Sequence, residues 1–265
     1  MRTKKAVINT MTSIMAEVVS IICGLILPRL ILGAFGSSYN GITSSITQFL
    51  SCIVLLRAGV GSVTRAALYN PLSQKNKSEI SGIVNATAIF MKKVALIYVG
   101  ALIVFACVYP FLVRNSFSWI FSATLVLIIG SSTFVDNYFG IAYQMLLQAD
   151  QKNYVNTIPQ IVTTILNTIV AAVLIHCGAG IHLVKLGSAI VYFIRPLFLS
   201  YYVKKKYEID ADIKPNNSAI SQRWDAFAQQ AAAFVNNNTD VIVLTMFSDI
   251  KEAVSYTHLT LPTIL

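Results

Sequence analysis

Charge is scarce in this chain, and acidic charge scarcest of all: 12% of its 265 residues are charged, with 11 Asp and Glu against 20 Lys and Arg. A soluble domain carries about 25% charged residues. With 55% hydrophobic residues and a mean hydropathy of +0.67, one water-surrounded core has no room for the apolar surface, so a bilayer is the solvent that fits. Cysteine is also scarce. Cys23, Cys52, Cys107 and Cys177 fall singly on separate apolar stretches without paired or metal-like spacing, which excludes a disulfide framework and leaves them as small packing residues. Long polar stretches are missing too. The longest, 204–223, holds Pro215 and an Asn pair and has the length of a connector between two bundles. Its Asp210-Ala211-Asp212 matches a metal-binding pattern of some glycosyltransferases, but some twenty residues cannot build the nucleotide-sugar domain that pattern needs, so it reads as a solvated loop.

What the chain has instead is seven long apolar stretches, at 6–32, 40–66, 82–113, 119–147, 154–176, 181–203 and 224–247. About 20 apolar residues in helix cross a hydrocarbon core of about 30 Å. The fold expected is an all-α membrane protein, a polytopic helical bundle. Met1 to Lys5 looks like a signal-peptide n-region, yet the stretch behind it is too long, contains Glu17 and lacks a small-residue cleavage site, so it reads as a permanent span.

The basic residues set the orientation. With the N-terminus in the cytoplasm, fourteen of the twenty lie inside or at the inner boundary, including Lys4, Lys5, Arg65, Lys75, Lys77, Lys152 and Lys204 to Lys206. Arg29, Arg114, Lys185 and Lys251 fall outside or near the outer boundary, and Arg57 and Arg195 within spans. The positive-inside rule selects this arrangement. The net charge of +9 is then topogenic and attracts acidic headgroups of membrane lipids; without a basic and aromatic module it does not indicate nucleic acid.

Polarity inside the spans carries the functional information. Ser13, Glu17, Ser20 and Gly24 recur at helical spacing, and Pro28, which removes a backbone bond, predicts a kink before Arg29. Ser44, Gln48, Ser51, Ala58, Ser62 and Arg65 share a face of the second span, Thr157, Gln160, Thr164, Asn167 and Ala171 one of the fifth, and Gln229, Ala233, Asn236 and Asp240 one of the seventh. Small and hydroxyl residues in such stripes serve helix packing as readily as cavity lining. Charges near the bilayer centre, at Glu17, Arg57 and Asp136, cost at least about 2.5 kcal/mol each on insertion scales where a value exists, and mark water-filled pathways or structural ion pairs. Arg195, next to Pro196 and near Lys204 to Lys206, reads as a helix-end anchor, while Lys92 and Lys93 snorkel.

Several motifs resemble those of one family. Leu27-Pro28-Arg29-Leu30-Ile31-Leu32-Gly33, then Phe35-Gly36 and Tyr39-Asn40-Gly41, resemble the turn between helices 1 and 2 of bacterial polysaccharide flippases of the multidrug/oligosaccharidyl-lipid/polysaccharide exporter superfamily. Ala58-Gly59-Val60-Gly61 with Arg65, the stretch from Leu146 to Tyr154, and Asn238 to Leu244 are similar to further segments, so that the resemblance covers 1–253. It implies two six-helix lobes around a cavity that opens alternately to each side and moves a lipid-linked oligosaccharide outward across the bacterial cytoplasmic membrane. On that basis 1–203 is one six-helix lobe, 204–223 the inter-lobe loop and 224–253 the first helix of a second lobe; 254–265 resembles translated adapter read-through and is expected to be a non-native tail.

The expected substrate-binding residues are Arg29, Arg57 and Arg65 for the diphosphate and Gln48 and Asn167 for the sugar, since arginine forks suit phosphate oxygens. Glu17, Asp136 and Asp240 are the candidates for coupling to proton or sodium entry, which the resemblance implies. No cofactor, metal or catalytic residue is expected, and the implied partners are the lipid-linked oligosaccharide and the glycosyltransferases and polymerase of the same pathway. Two alternatives stay open: a drug or cation antiporter of the same superfamily, against which the arginines argue, and a membrane-embedded polysaccharide-assembly enzyme, which would carry a large outer loop or an acidic and His cluster.

Overall fold

A computed structural model describes residues 2–54, 58–112 and 117–233. They form α1 (Arg2–Phe35), α2 (Ser37–Val54), α3 (Ala58–Gln74), α4 (Lys77–Leu112), α5 (Trp119–Val135), a π-helical turn (Asp136–Gly140), α6 (Ile141–Ala149), α7 (Tyr154–His176) and α8 (Ile181–Tyr207). A 3-10 turn, Asn217–Ile220, follows, and α9 begins at 223 and is described to 233. No strand occurs among the described residues. The chain is an all-α, multi-pass membrane protein.

Five of the described helical segments are long and apolar enough to span: Thr3–Phe35, Lys77–Phe111, Trp119–Ala149, Tyr154–His176 and Ile181–Tyr207. The sequence divided the chain into seven. The stretch expected at 40–66 is described as α2 and α3, and 55–57 between them lie outside the described residues. Of 224–247 only the part to 233 is described.

Helix ends follow local chemistry. Gly36 turns the chain from α1 to α2 at φ 87°, and Gly178 ends α7 at φ 75°, both in the left-handed region where a side chain is strained. Lys75, Gln151 and Glu208 hold positive φ at three further turns. The N-terminal segment of α1, the turns at 75–76 and 150–153 and the C-terminus of α8 all lie at one end of the bundle, termed here the near end; the turns at Gly36 and 177–180 lie at the far end.

α1 packs along α7, α7 on α8, α8 on α5 and α5 on α4, while α3 lies against α4 and α6. A near-end core gathers Leu68, Ile83, Val84, Leu146, Leu147 and Leu199, and a far-end core Ile46, Tyr98, Tyr109, Leu125 and Val126. Between them Val60, Met91, Val94 and Ile141 make a smaller cluster. The bundle is built for lipid. Its outer faces expose Leu96, Ile97, Val104, Phe111 and Ile120, whereas Thr64, Thr87, Asn137, Gln144, Asn156 and Asn167 are buried. Buried polar groups require partners, and the Thr64 and Thr87 hydroxyls meet at 3.1 Å to join α3 to α4.

The segment after α8 is fastened rather than free. Asn85 on α4 donates to the carbonyls of Asp210 (2.8 Å) and Ile213 (3.1 Å), the Asn216 amide donates to the Gly82 carbonyl (3.0 Å), and Lys77 pairs with Glu208 at 2.6 Å. At its end α9 lies so close to α3 that a Cβ on Gly59 would collide with the Phe227 amide nitrogen and approach the Arg223 carbonyl to 2.6 Å.

Candidate functional site

Arg65 is half-buried on α3, and its guanidinium donates at 2.7 Å to the side-chain oxygen of Gln148, near the end of α6. The partner is a neutral amide. The interaction fixes the guanidinium without neutralising it, and its other N–H donors have no partner among the described residues.

A π-helical turn adds a residue to one turn of helix and re-aims the side chains on it, and such turns recur at functional sites. Here it begins at Asp136, which is half-buried and accepts from Gln144 Nε2 at 3.0 Å. Gly140 lets this pair close, since a Cβ there would come within 2.8 Å of Asp136 Oδ1 and 3.2 Å of Pro196 on α8. Nothing in the hydrophobic pattern of the fourth span signals the change of helix type.

Arg195 is not the helix-end anchor that the sequence suggested. It lies twelve residues before the end of α8 and donates through Nε (3.3 Å) and Nη2 (3.0 Å) to Oδ1 of buried Asn156 on α7. Pro196 sits inside the helix and is buried, so the Pro-Arg pair does not mark a terminus.

Towards the far end two adjoining cavities open, of about 440 Å³ and 300 Å³, which share Leu27, Thr47 and Lys185. Asn167 lines the larger and Gln48 the smaller. Asn167 is 3% exposed and donates to the Tyr192 hydroxyl at 3.2 Å, which keeps both side chains turned to the space between α7 and α8.

The other expected residues are dispersed. Arg29 and Glu17 are exposed on α1. Arg29 lies six residues from the far end of that helix, whereas Arg65 is held next to the near-end turn. Asn9, whose side chain reaches that turn, is separated from Arg29 by twenty residues of helix, about 30 Å at 1.5 Å per residue. One diphosphate cannot touch both at once. Arg57 and Asp240 lie outside the described residues. Lys92 and Lys93 are exposed, with the Lys92 ammonium 5.4 Å from the centre of the Tyr138 ring. Asp210 and Asp212 are exposed, and the Asp212 amide bonds to Asp210 Oδ1 at 2.9 Å. No group of His, Cys, Asp or Glu fit to hold a metal occurs among the described residues.

Sequence reading missed a polar knot at the near end. Asp150 receives the Lys152 ammonium and the Tyr207 hydroxyl, each at 2.5 Å, while Lys5 lies 3.6 Å from its other oxygen. Asn9 braces it by donating to the Gln151 carbonyl (3.0 Å) and accepting from the Tyr154 amide (2.9 Å). Burial would raise the Asp150 carboxyl, but hydrogen bonds from Lys152 and Tyr207 and the charges of Lys152 and Lys5 outweigh it and hold the group below the usual carboxylate range. The sequence signals were an Asp two residues before a Lys in a short turn, within the stretch from Leu146 to Tyr154.

Comparison with family models, curated proteins and solved structures found no match to this chain.

Proposed function

We propose that this chain is the lobe of a lipid-linked oligosaccharide flippase, a transporter rather than an enzyme, set in the bacterial cytoplasmic membrane with its near end in the cytoplasm. The observation that carries the reading is Arg65: an arginine within the bundle that rests on a neutral amide and so keeps its charge for a ligand. A structural arginine in low dielectric is expected to face a carboxylate. A cation antiporter would gain nothing from it, whereas a diphosphate headgroup needs a cation to leave water. The motif resemblance at Leu27 to Gly33 and at Leu146 to Tyr154 supports the same class, and the basic excess at the near end supports the orientation. The polyprenyl tail of such a substrate stays in lipid along the exposed apolar faces while its headgroup passes through the polar interior.

Alternating access takes two lobes that rock against each other, and the lobe described here supplies one wall. The reading is tested by complementing a flippase-deficient bacterial strain with the complete reading frame that carries residues 1–253. Restored surface polysaccharide is expected, with none from residues 1–265 alone. Export by the 265-residue chain alone would refute the two-lobe arrangement, and failure of the complete frame at normal membrane levels would refute the flippase reading.

A further inference from the structure

Lys185 stands four residues into α8, about 6 Å from the far end at 1.5 Å per residue, and lines both far-end cavities. It is half-buried and makes no hydrogen bond or ion pair among the described residues. A second observation points into the same space. Asn167 lines the larger cavity and is 3% exposed, yet its side-chain oxygen has no partner. A buried polar atom left unpaired costs about 1–3 kcal/mol, and because the Tyr192 hydroxyl can satisfy only the end of the amide that faces it, one end of the Asn167 side chain stays without a partner in either orientation. The cavity therefore holds a cation without an anion and an acceptor without a donor, beside the hydroxyls of Ser188 and Thr133.

We infer that the far-end cavity is a binding station for a phosphate ester that carries a hydroxylated group, with Lys185 contacting the phosphate oxygens and Asn167 Oδ1 accepting from a ligand hydroxyl. The inference rests on the flippase reading for the identity of the ester, a sugar on a prenyl diphosphate. The cavity volume of about 440 Å³ lies within the range of about 300–1,000 Å³ usual for small-ligand sites. Arg65 is held at the opposite end by Gln148, so the two cations are separate stations: Arg65 receives the headgroup from the near side, and Lys185 holds it before release at the far side. Stations at two depths suit transport, because a single site that gathered every positive charge would bind the diphosphate too tightly to release it.

The test uses the 265-residue chain in phosphatidylcholine nanodiscs with geranyl-diphospho-glucose as the probe, read by protection of Lys185 from acetylation in peptide mass spectrometry and by direct titration. Protection by this probe is expected, and none by geranyl glucoside, which lacks the diphosphate. Lys185→Met should weaken binding at least about tenfold, the size of one charge-assisted contact, and Lys185→Arg should retain it within about threefold. Asn167→Leu should remove the advantage of the glucosylated probe over bare geranyl diphosphate. Because Lys185 gives up no partner on substitution, Lys185→Met should melt no lower than the unmodified chain, which separates loss of binding from loss of fold. Binding abolished by Arg65→Ala and untouched by Lys185→Met would overturn the far station and leave the flippase reading standing. Failed complementation with Lys185-dependent binding intact would do the reverse. Absence of any binding overturns the station. Protection of Lys185 in probe-free phosphatidylcholine nanodiscs as strong as with the probe would assign the ammonium to an ordinary bilayer phosphate and also overturn it.

Discussion

The Tyr207 hydroxyl donates to the Asp150 carboxylate at 2.5 Å, joining the last residue of α8 to the residue that caps α6. With Lys152 and Lys5 on the same carboxylate, the pair ties α1, α6 and α8 together at one end of the bundle.

Asp150→Asn should lower the unfolding free energy in detergent by about 2 kcal/mol, the scale of hydrogen bonds to a charged partner at a half-buried site. The same carboxylate should make stability depend on pH. Its folded-state pKa is depressed, so its contribution is fully present above the ordinary carboxylate range, about pH 4, and is lost as pH falls below it towards the folded value. Thermal denaturation between pH 7 and pH 2 should show a destabilisation below about pH 4 that is smaller in Asp150→Asn. An identical acid profile for the two proteins would remove Asp150 from the account.

Arg65→Ala in the complete reading frame should reduce polysaccharide export at least about tenfold, the cost of one lost charge-assisted contact, while membrane levels stay unchanged. Arg65→Lys should restore only part of it, because an ammonium offers a point charge where the guanidinium offers a planar fork. Export and protein level measured in the same cells decide the matter.

The near end should face the cytoplasm. In a background without native cysteines, single cysteines at exposed Ser73 and Asn217 should resist an impermeant maleimide in intact cells and label after permeabilisation. Rapid labelling from outside at either position would reverse the orientation.

Gly59→Ala should unseat α9 from α3. The added methyl meets backbone atoms of Arg223 and Phe227, which cannot rotate away as the end of a side chain can, and overpacking of this kind costs about 1–3 kcal/mol. Limited proteolysis should then cut the 208–222 segment several-fold faster than in the unmodified chain. Gly130→Ala, whose contact is the flexible end of Leu102, should cost less.

Hydropathy made the spans legible wherever one helix crosses alone. The stretch expected at 154–176 coincides with α7, and the start at 181 with α8. It placed the end of α8 too early, at 203, because Lys204 to Lys206 read as loop by charge, yet they complete the last helical turn, where cations are favoured by the helix dipole. The π turn was invisible, since it inserts one residue without altering composition. For the candidate site, sequence spacing correctly put Asn167 on a polar face but could not say how far Arg29 stands from Arg65, because depth along a helix converts to distance only once the packing partners are known. Lys185 was counted with the boundary charges by its place near a helix start; its value as a candidate comes from the cavities on either side of it.

The fastening of the post-α8 segment to α4 has a mechanical consequence. Asn85, Gly82 and Lys77 grip it at three levels, so α9 is joined to a fixed fulcrum and not to a slack tether. Force applied to α9 is therefore delivered to α4 and α3 as torque, and α3 is the helix that carries Arg65. A tilt of α9 and the grip on a near-side anion would then be two ends of one lever.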